Sequence, residues 1–115
     1  MPPKVKFQKE EIAAAALNVA RKKGIDAVTA REVGTELKVS SRPIFTWYDS
    51  MEELKGDVYE LAKKEYREYI ERGLQEAIPF LGLWHQYIYF AKNEPELYRL
   101  LFLTRLGALE AGIPT

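Results

Sequence analysis

Cysteine is absent from all 115 residues. The chain therefore has no disulfide framework and no thiolate metal site, and a reducing compartment is the natural setting. Histidine is nearly absent as well: His85 stands alone. No Ser/His/Asp set offers more than that one base, no Gly-rich phosphate loop occurs, and no metal-ligand spacing is present. Asn-Gly and Asp-Gly are also missing, so no tight β-hairpin is announced. Nor is there a membrane signal. The longest uncharged stretch, Ala77 to Ala91, contains Pro79, His85 and Gln86 and is too short to span a bilayer. Met1 to Lys6 has no apolar run behind it and does not read as a signal peptide. These absences predict a soluble, cytoplasmic protein that is not an enzyme, with no cofactor and no bound metal.

Net charge is zero, but it is unevenly spread. Residues 1–50 hold nine Lys/Arg against six Asp/Glu, a net of +3, and residues 51–115 hold eight against eleven, a net of −3. A basic head and an acidic body suit a chain whose first half meets a polyanion.

Apolar residues make up 47% of the chain, enough for a core, and almost every segment repeats them at helical spacing. Lys9 to Lys23 places Ile12, Ala16, Val19 and Ala20 on one face, with acids in its first turn, bases in its last and Gly24 after it. Ile25 to Val28 is a short connector whose two apolar ends can plug a core. Thr29-Ala30-Arg31-Glu32 is a capping box, predicting a bond from the Glu32 N–H to the Thr29 hydroxyl and one from the Thr29 N–H to the Glu32 carboxylate. Lys38-Val39-Ser40 breaks that helix, and Ser40 can cap a second running from Ser41 to about Tyr48, with Pro43 in its first turn. Ile44 is expected inside and Ser41, Arg42, Phe45 and Thr46 outside. Two short helices joined by a tight turn, the second rich in small polar and cationic residues, form a helix-turn-helix whose second helix suits a DNA major groove.

A long helix is expected from Met51 to Ala77, opened by a second capping box, Ser50 to Glu53. Its apolar stripe runs through Leu54, Val58, Leu61, Ala62, Tyr66, Tyr69, Ile70 and Leu74. Pro79 starts another, to about Asn93, which is apolar almost all round and must be covered on several sides. Pro95 opens a last one, ending near Leu103 or Leu106. The fold class is thus all-α: a three-helix head with a helix-turn-helix, a long linking helix and the first helices of a second, regulatory domain. The expected boundaries are 1–50 and 51–115.

The run from Gln8 to Leu54 resembles the DNA-binding head of the tetracycline-repressor-like (TetR) transcription regulators. The matching pieces are EEIAAAALNVARKKG, IDAVTAREV and VSSRPIFTWYDSMEEL, with Lys38 where the family's turn usually has Gly. Trp84 to Phe102, WHQYIYFAKNEPELYRLLF, is similar to the aromatic part of that family's ligand-binding domain. The resemblance implies a sequence-specific regulator, a ligand-responsive repressor, that binds a double-stranded DNA operator. Thr29, Arg31 and Lys38 would meet phosphates. Ser41, Arg42, Pro43, Phe45 and Thr46 would lie at base edges or the groove wall, and Trp47 near the backbone. Trp84, His85, Tyr87, Ile88, Tyr98 and Phe102 would hold a small apolar or aromatic effector. A homodimer is expected of the full-length protein, because the family's dimer helices lie beyond the end of this sequence.

Each assignment has a plainer rival. Arg31 can pair with Glu32 or Asp26 instead of a phosphate. His85 can be an ordinary packed polar side chain, and most of the aromatics can simply be core. The same residues also fit a different class of function, a helical module that docks on a protein partner and no longer binds DNA.

Overall fold

A computed structural model describes residues 7–104. All the described regular structure is helical, and no strand occurs among the described residues. Six α-helices follow one another: α1 Lys9–Lys23, α2 Ala30–Leu37, α3 Arg42–Trp47, α4 Met51–Leu74, α5 Pro79–Asn93 and α6 Pro95–Leu103. A single 3-10 turn, Ile25–Ala27, joins α1 to α2. The chain forms two compact units that divide within α4, between Val58 and Tyr59. No described helix is long and apolar enough to cross a membrane.

In the first unit, α1 packs against α2. It starts where the Glu11 carboxylate accepts the Gln8 N–H at 3.1 Å and ends at Gly24, whose φ of 93° a side chain would resist. The core consists of Ile12, Ala16, Val19, Ala20, Val28, Val33, Ile44, Tyr48, Leu54 and Val58, all essentially inaccessible. Two surface ion pairs, Lys22–Glu36 at 3.2 Å and Lys23–Glu32 at 2.9 Å, tie the end of α1 to α2. Pairs this exposed add little stability.

The Lys23 pair explains why the first capping box closes only halfway. The Thr29 hydroxyl accepts the Glu32 N–H at 3.2 Å as expected. The return bond is not made: the Thr29 N–H donates to the Ala27 carbonyl at 2.9 Å, and the Glu32 carboxylate turns to Lys23. At Ser50 the outcome is similar. Its hydroxyl accepts the Glu53 N–H at 3.2 Å, while the Glu53 carboxylate reaches one residue further back, to the Asp49 N–H, at 3.0 Å.

α3 is shorter than expected, Arg42–Trp47 rather than Ser41 to Tyr48. The Ser40 hydroxyl accepts the Arg42 N–H at 3.4 Å, which leaves Ser41 in the cap position. Tyr48 is extended, at φ −125°.

The second unit takes the rest of α4 with α5 and α6. α4 stops at Leu74, not Ala77. Two features force the earlier end. Ile78 precedes Pro79 and is held extended, at φ −117°, so the turn must be complete before it. α4 and α5 also meet glycine to glycine. A Cβ on Gly73 would lie 2.5 Å from the Gly82 carbonyl oxygen, and one on Gly82 would overlap the Gly73 carbonyl. The last turn of α4 accordingly tightens, with Gln75 N–H to Arg72 O and Glu76 N–H to Gly73 O both at 3.1 Å.

Phe90 is fully buried between edge-on contacts with Tyr66, 5.1 Å between ring centres, and Tyr69, 5.3 Å. Leu97 and Leu100 bury the inner face of α6. α5 keeps its predicted bounds, but within this structure it is not covered on several sides: only Gly82 and Phe90 are buried along it. α6 begins at Pro95 and ends at Leu103. The alternative end at Leu106 and the tail from Gly107 to Thr115 lie outside the described residues.

Candidate DNA interface and aromatic groove

Two regions concentrate the candidate residues, one in each unit. The first is the outer face of α3. A six-residue helix has little stability of its own, so its orientation depends on what it buries. Ile44 and Tyr48 lie one turn apart and both are fully inaccessible. The Tyr48 hydroxyl donates to the Asp57 carboxylate at 2.6 Å, and the Lys9 ammonium sits 5.1 Å from the centre of the Tyr48 ring. Burial, followed by the Asp57 carboxylate, pushes the Tyr48 phenol well above its ordinary value, so it stays neutral and keeps donating. With one side pinned, Arg42, Phe45 and Thr46 fall at i, i+3 and i+4 on the opposite side, and all three are exposed.

The turn before α3 is just as defined. Lys38 adopts the left-handed conformation, φ 63° and ψ 36°. The Lys38 N–H donates to Thr35 O at 3.0 Å and the Val39 N–H to Gly34 O at 2.9 Å. That is a Schellman ending, with lysine in the position that usually needs glycine. The backbone cost is about 1–2 kcal/mol, and it leaves the Lys38 ammonium exposed beside the turn.

The other expected DNA residues are placed less uniformly. Thr29 and Arg31 are exposed at the start of α2. Among the described residues Arg31 has no acidic partner, since Glu32 is held by Lys23. Ser41 and Pro43 are only half-exposed. Trp47 is exposed, yet its indole N–H is engaged, donating to the Phe7 carbonyl at 2.7 Å. It can present its ring to a DNA backbone but no free donor. That Phe7–Trp47 tie, forty residues apart in sequence, has no sequence signal.

The second region is a groove of about 610 Å³, lined by Tyr66 and Ile70 of α4 and by Phe80, Leu83, Trp84 and Tyr87 of α5. Of the six residues expected to hold a ligand, Trp84 and Tyr87 line it. Tyr98 and Phe102 stand behind Tyr87, each 5.6 Å away ring to ring. The Tyr87 and Tyr98 hydroxyls share a hydrogen bond of 2.7 Å. That bond, with burial, raises the Tyr87 phenol, and burial raises Tyr66; both remain neutral polar handles on an apolar wall.

His85 and Ile88 are not in the groove lining. His85 is neither a packed core side chain nor a groove residue: it is exposed, with Nδ1 3.0 Å from Glu76 Oε1. Ile88 is exposed on the outer side of α5. Three lining residues were missed, Tyr66, Ile70 and Leu83; their spacing marks shared helix faces but not that those faces are left open. Tyr66 and Ile70 lie four apart, and Phe80, Leu83, Trp84 and Tyr87 fall at i, i+3, i+4 and i+7. Among the described residues no group of three or more His, Cys, Asp or Glu side chains could hold a metal ion.

Residues 12–57 match the model of a protein family described as Bacterial regulatory proteins, tetR family. No curated protein and no solved structure matches the chain.

Proposed function

We propose that the chain, whose residues 12–57 match the tetR family of bacterial regulatory proteins, is a DNA-binding transcription regulator, a repressor whose grip on its operator is set by a small apolar or aromatic effector. The observation that supports the DNA contacts is the two-sided α3: Ile44 and Tyr48 locked inside, Arg42, Phe45 and Thr46 outside. In this reading Arg42 takes guanine O6 and N7 with its planar fork, and Phe45, Thr46 and Pro43 lie against the groove wall with Ser41. Thr29, Arg31 and Lys38 meet phosphates, and Trp47 lays its ring beside the backbone.

The effector occupies the groove between Tyr66 and Trp84. Its volume suits a small organic ligand, and its lining favours a neutral, largely apolar molecule. The head, residues 1–50, then reports the state of the remainder, residues 51–115, through α4, which runs unbroken from Met51 to Leu74. A cytoplasmic homodimer of the full-length protein would set two heads on half-sites about one helical turn apart or a near multiple. The effector would favour one spacing of the heads over another, and only through unequal affinity for the two states.

The test uses duplexes enriched from a random pool by the protein itself. Their affinity is measured by fluorescence anisotropy with and without a panel of neutral aromatic compounds. At least one compound should weaken DNA binding in the wild type and fail to do so in Trp84→Ala, while Trp84→Ala keeps its affinity in the compound's absence. If no compound that enters the groove alters DNA affinity, effector control is wrong. Repression is tested separately, by placing the enriched duplex over a promoter and measuring transcription with and without the protein.

A further inference from the structure

We propose that the groove recognises a neutral aromatic ketone or a like carbonyl compound, whose oxygen accepts from the Tyr87 hydroxyl, and that Tyr98 is a positioning residue acting through Tyr87. The inference rests on the effector reading of the groove and names the chemistry of what enters it.

The polar atoms of the lining are few and of one kind. Tyr66 and Tyr87 bring a hydroxyl each and Trp84 an indole N–H. All three can donate a hydrogen bond, and the indole can only donate. Among the described residues no carboxylate, ammonium, guanidinium or side-chain carbonyl joins the lining. A charged guest would give up its hydration there and meet no counter-charge. A guest with an acceptor oxygen is matched, and the aromatic rings of the lining favour a flat ring system beside it.

Tyr87 is set apart by what stands behind it. Its hydroxyl lies 2.7 Å from the hydroxyl of Tyr98, a residue of α6 outside the lining. Two phenols sharing one bond own two protons, and the bond spends one. With Tyr98 donating, the Tyr87 oxygen accepts and the Tyr87 proton is left for the groove. With Tyr87 donating, that proton is spent and the groove meets only an oxygen. A carbonyl in the groove favours the first arrangement. The bond from behind then polarises the Tyr87 hydroxyl into a stronger donor.

Both rings are held for this task. The Tyr87 ring has edge-on neighbours in Trp84 at 6.0 Å and in Tyr98 and Phe102 at 5.6 Å each. The Tyr98 ring lies 5.1 Å from Phe102, and the buried Leu97 and Leu100 fix its stretch of α6.

Equilibrium dialysis on the full 115-residue chain compares methyl naphthyl ketone with isopropenylnaphthalene, which keeps the shape but carries CH2 in place of the carbonyl oxygen. Both should bind, the ketone at least about fivefold more tightly. The infrared carbonyl band of the bound ketone should lie below its position in a hydrocarbon solvent. Tyr87→Phe should bring the two affinities together and return the band to the hydrocarbon position. Tyr98→Phe should cut the preference at least about twofold and move the band part of the way back. Tyr89→Phe, exposed on α5 and outside the lining, should keep the wild-type preference. Replacing Tyr98 by fluorotyrosine, a stronger donor of nearly the same size, should move the band further down, a readout that survives even if Tyr98→Phe unfolds.

Equal affinities in the wild type, a band at the hydrocarbon position, or binding of neither compound overturns the recognition. A preference that survives Tyr87→Phe overturns the part given to Tyr87. A band indifferent to both changes at Tyr98 overturns the part given to Tyr98. None of these measurements reads DNA. Ketone bound as described, with DNA affinity unaltered, would defeat effector control and leave this inference standing.

Discussion

The Tyr48 hydroxyl donates to the Asp57 carboxylate at 2.6 Å, joining the residue that follows α3 to the second turn of α4. Tyr48 is 1% exposed, and its hydroxyl reaches a half-buried carboxylate, so the bond is part-buried. It is the most direct link between the packing of the head and the aim of α3.

Tyr48→Phe keeps the ring and deletes the donor, leaving Asp57 without its partner. A hydrogen bond to a charged group contributes about 1.5–3 kcal/mol. The variant should lose about that much in urea denaturation and should also weaken DNA binding, because α3 loses its anchor.

The same residue sets an alkaline limit. Its folded pKa is raised above the unfolded value of about 10. Above pH of about 10 the unfolded chain gives up the phenolic proton while the folded chain keeps it, so stability falls as pH rises through that range. Below it the contribution is fully present. Denaturation midpoints of wild type should therefore decline from pH of about 10 upward, and those of Tyr48→Phe should decline less.

Lys38→Gly separates stability from DNA contact at the turn. Glycine adopts φ 63° without the lysine's steric penalty, so the variant should gain up to about 1 kcal/mol in thermal denaturation. If the Lys38 ammonium meets a phosphate, the same change should lower the slope of log affinity against log salt by about 1. A gain in stability with an unchanged slope would place Lys38 away from the DNA.

Gly82→Ala puts a methyl onto the Gly73 carbonyl, with which it would overlap. α4 and α5 must then move apart. Overpacking of this kind costs about 1–3 kcal/mol and sometimes more. The loss should appear in the second unit's unfolding, and the amide resonances of Tyr66 and Trp84 should shift as the groove changes shape.

Much of this fold was legible in the chain because its punctuation is local. Pro79 and Asn93-Glu94-Pro95 fixed the bounds of α5, and Thr29 and Ser50 marked the starts of α2 and α4. Features set by tertiary contact were not legible. α4 stops at Leu74 because Gly73 and Gly82 meet, and nothing in the apolar stripe announces that meeting. The Glu32 and Glu53 carboxylates left their capping boxes because Lys23 and the Asp49 N–H offered alternatives. Of the groove, Phe80, Trp84 and Tyr87 were anticipated. Tyr66 and Ile70 were assigned to the α4 stripe, and periodicity alone does not say which part of a stripe the structure leaves uncovered. The exposed row Arg42, Phe45 and Thr46 was legible because Ile44 sets the inward side of α3.

The central claim, that the outer face of α3 reads DNA, is tested most directly by anisotropy titrations of wild type and Arg42→Ala against the enriched duplex across a range of salt. The account predicts affinity that falls steeply with salt in both proteins. It also predicts a loss of about 1–3 kcal/mol in Arg42→Ala on the preferred duplex, with discrimination against altered duplexes relaxed. Equal affinity and equal preference in the two proteins, or binding indifferent to salt, would contradict it.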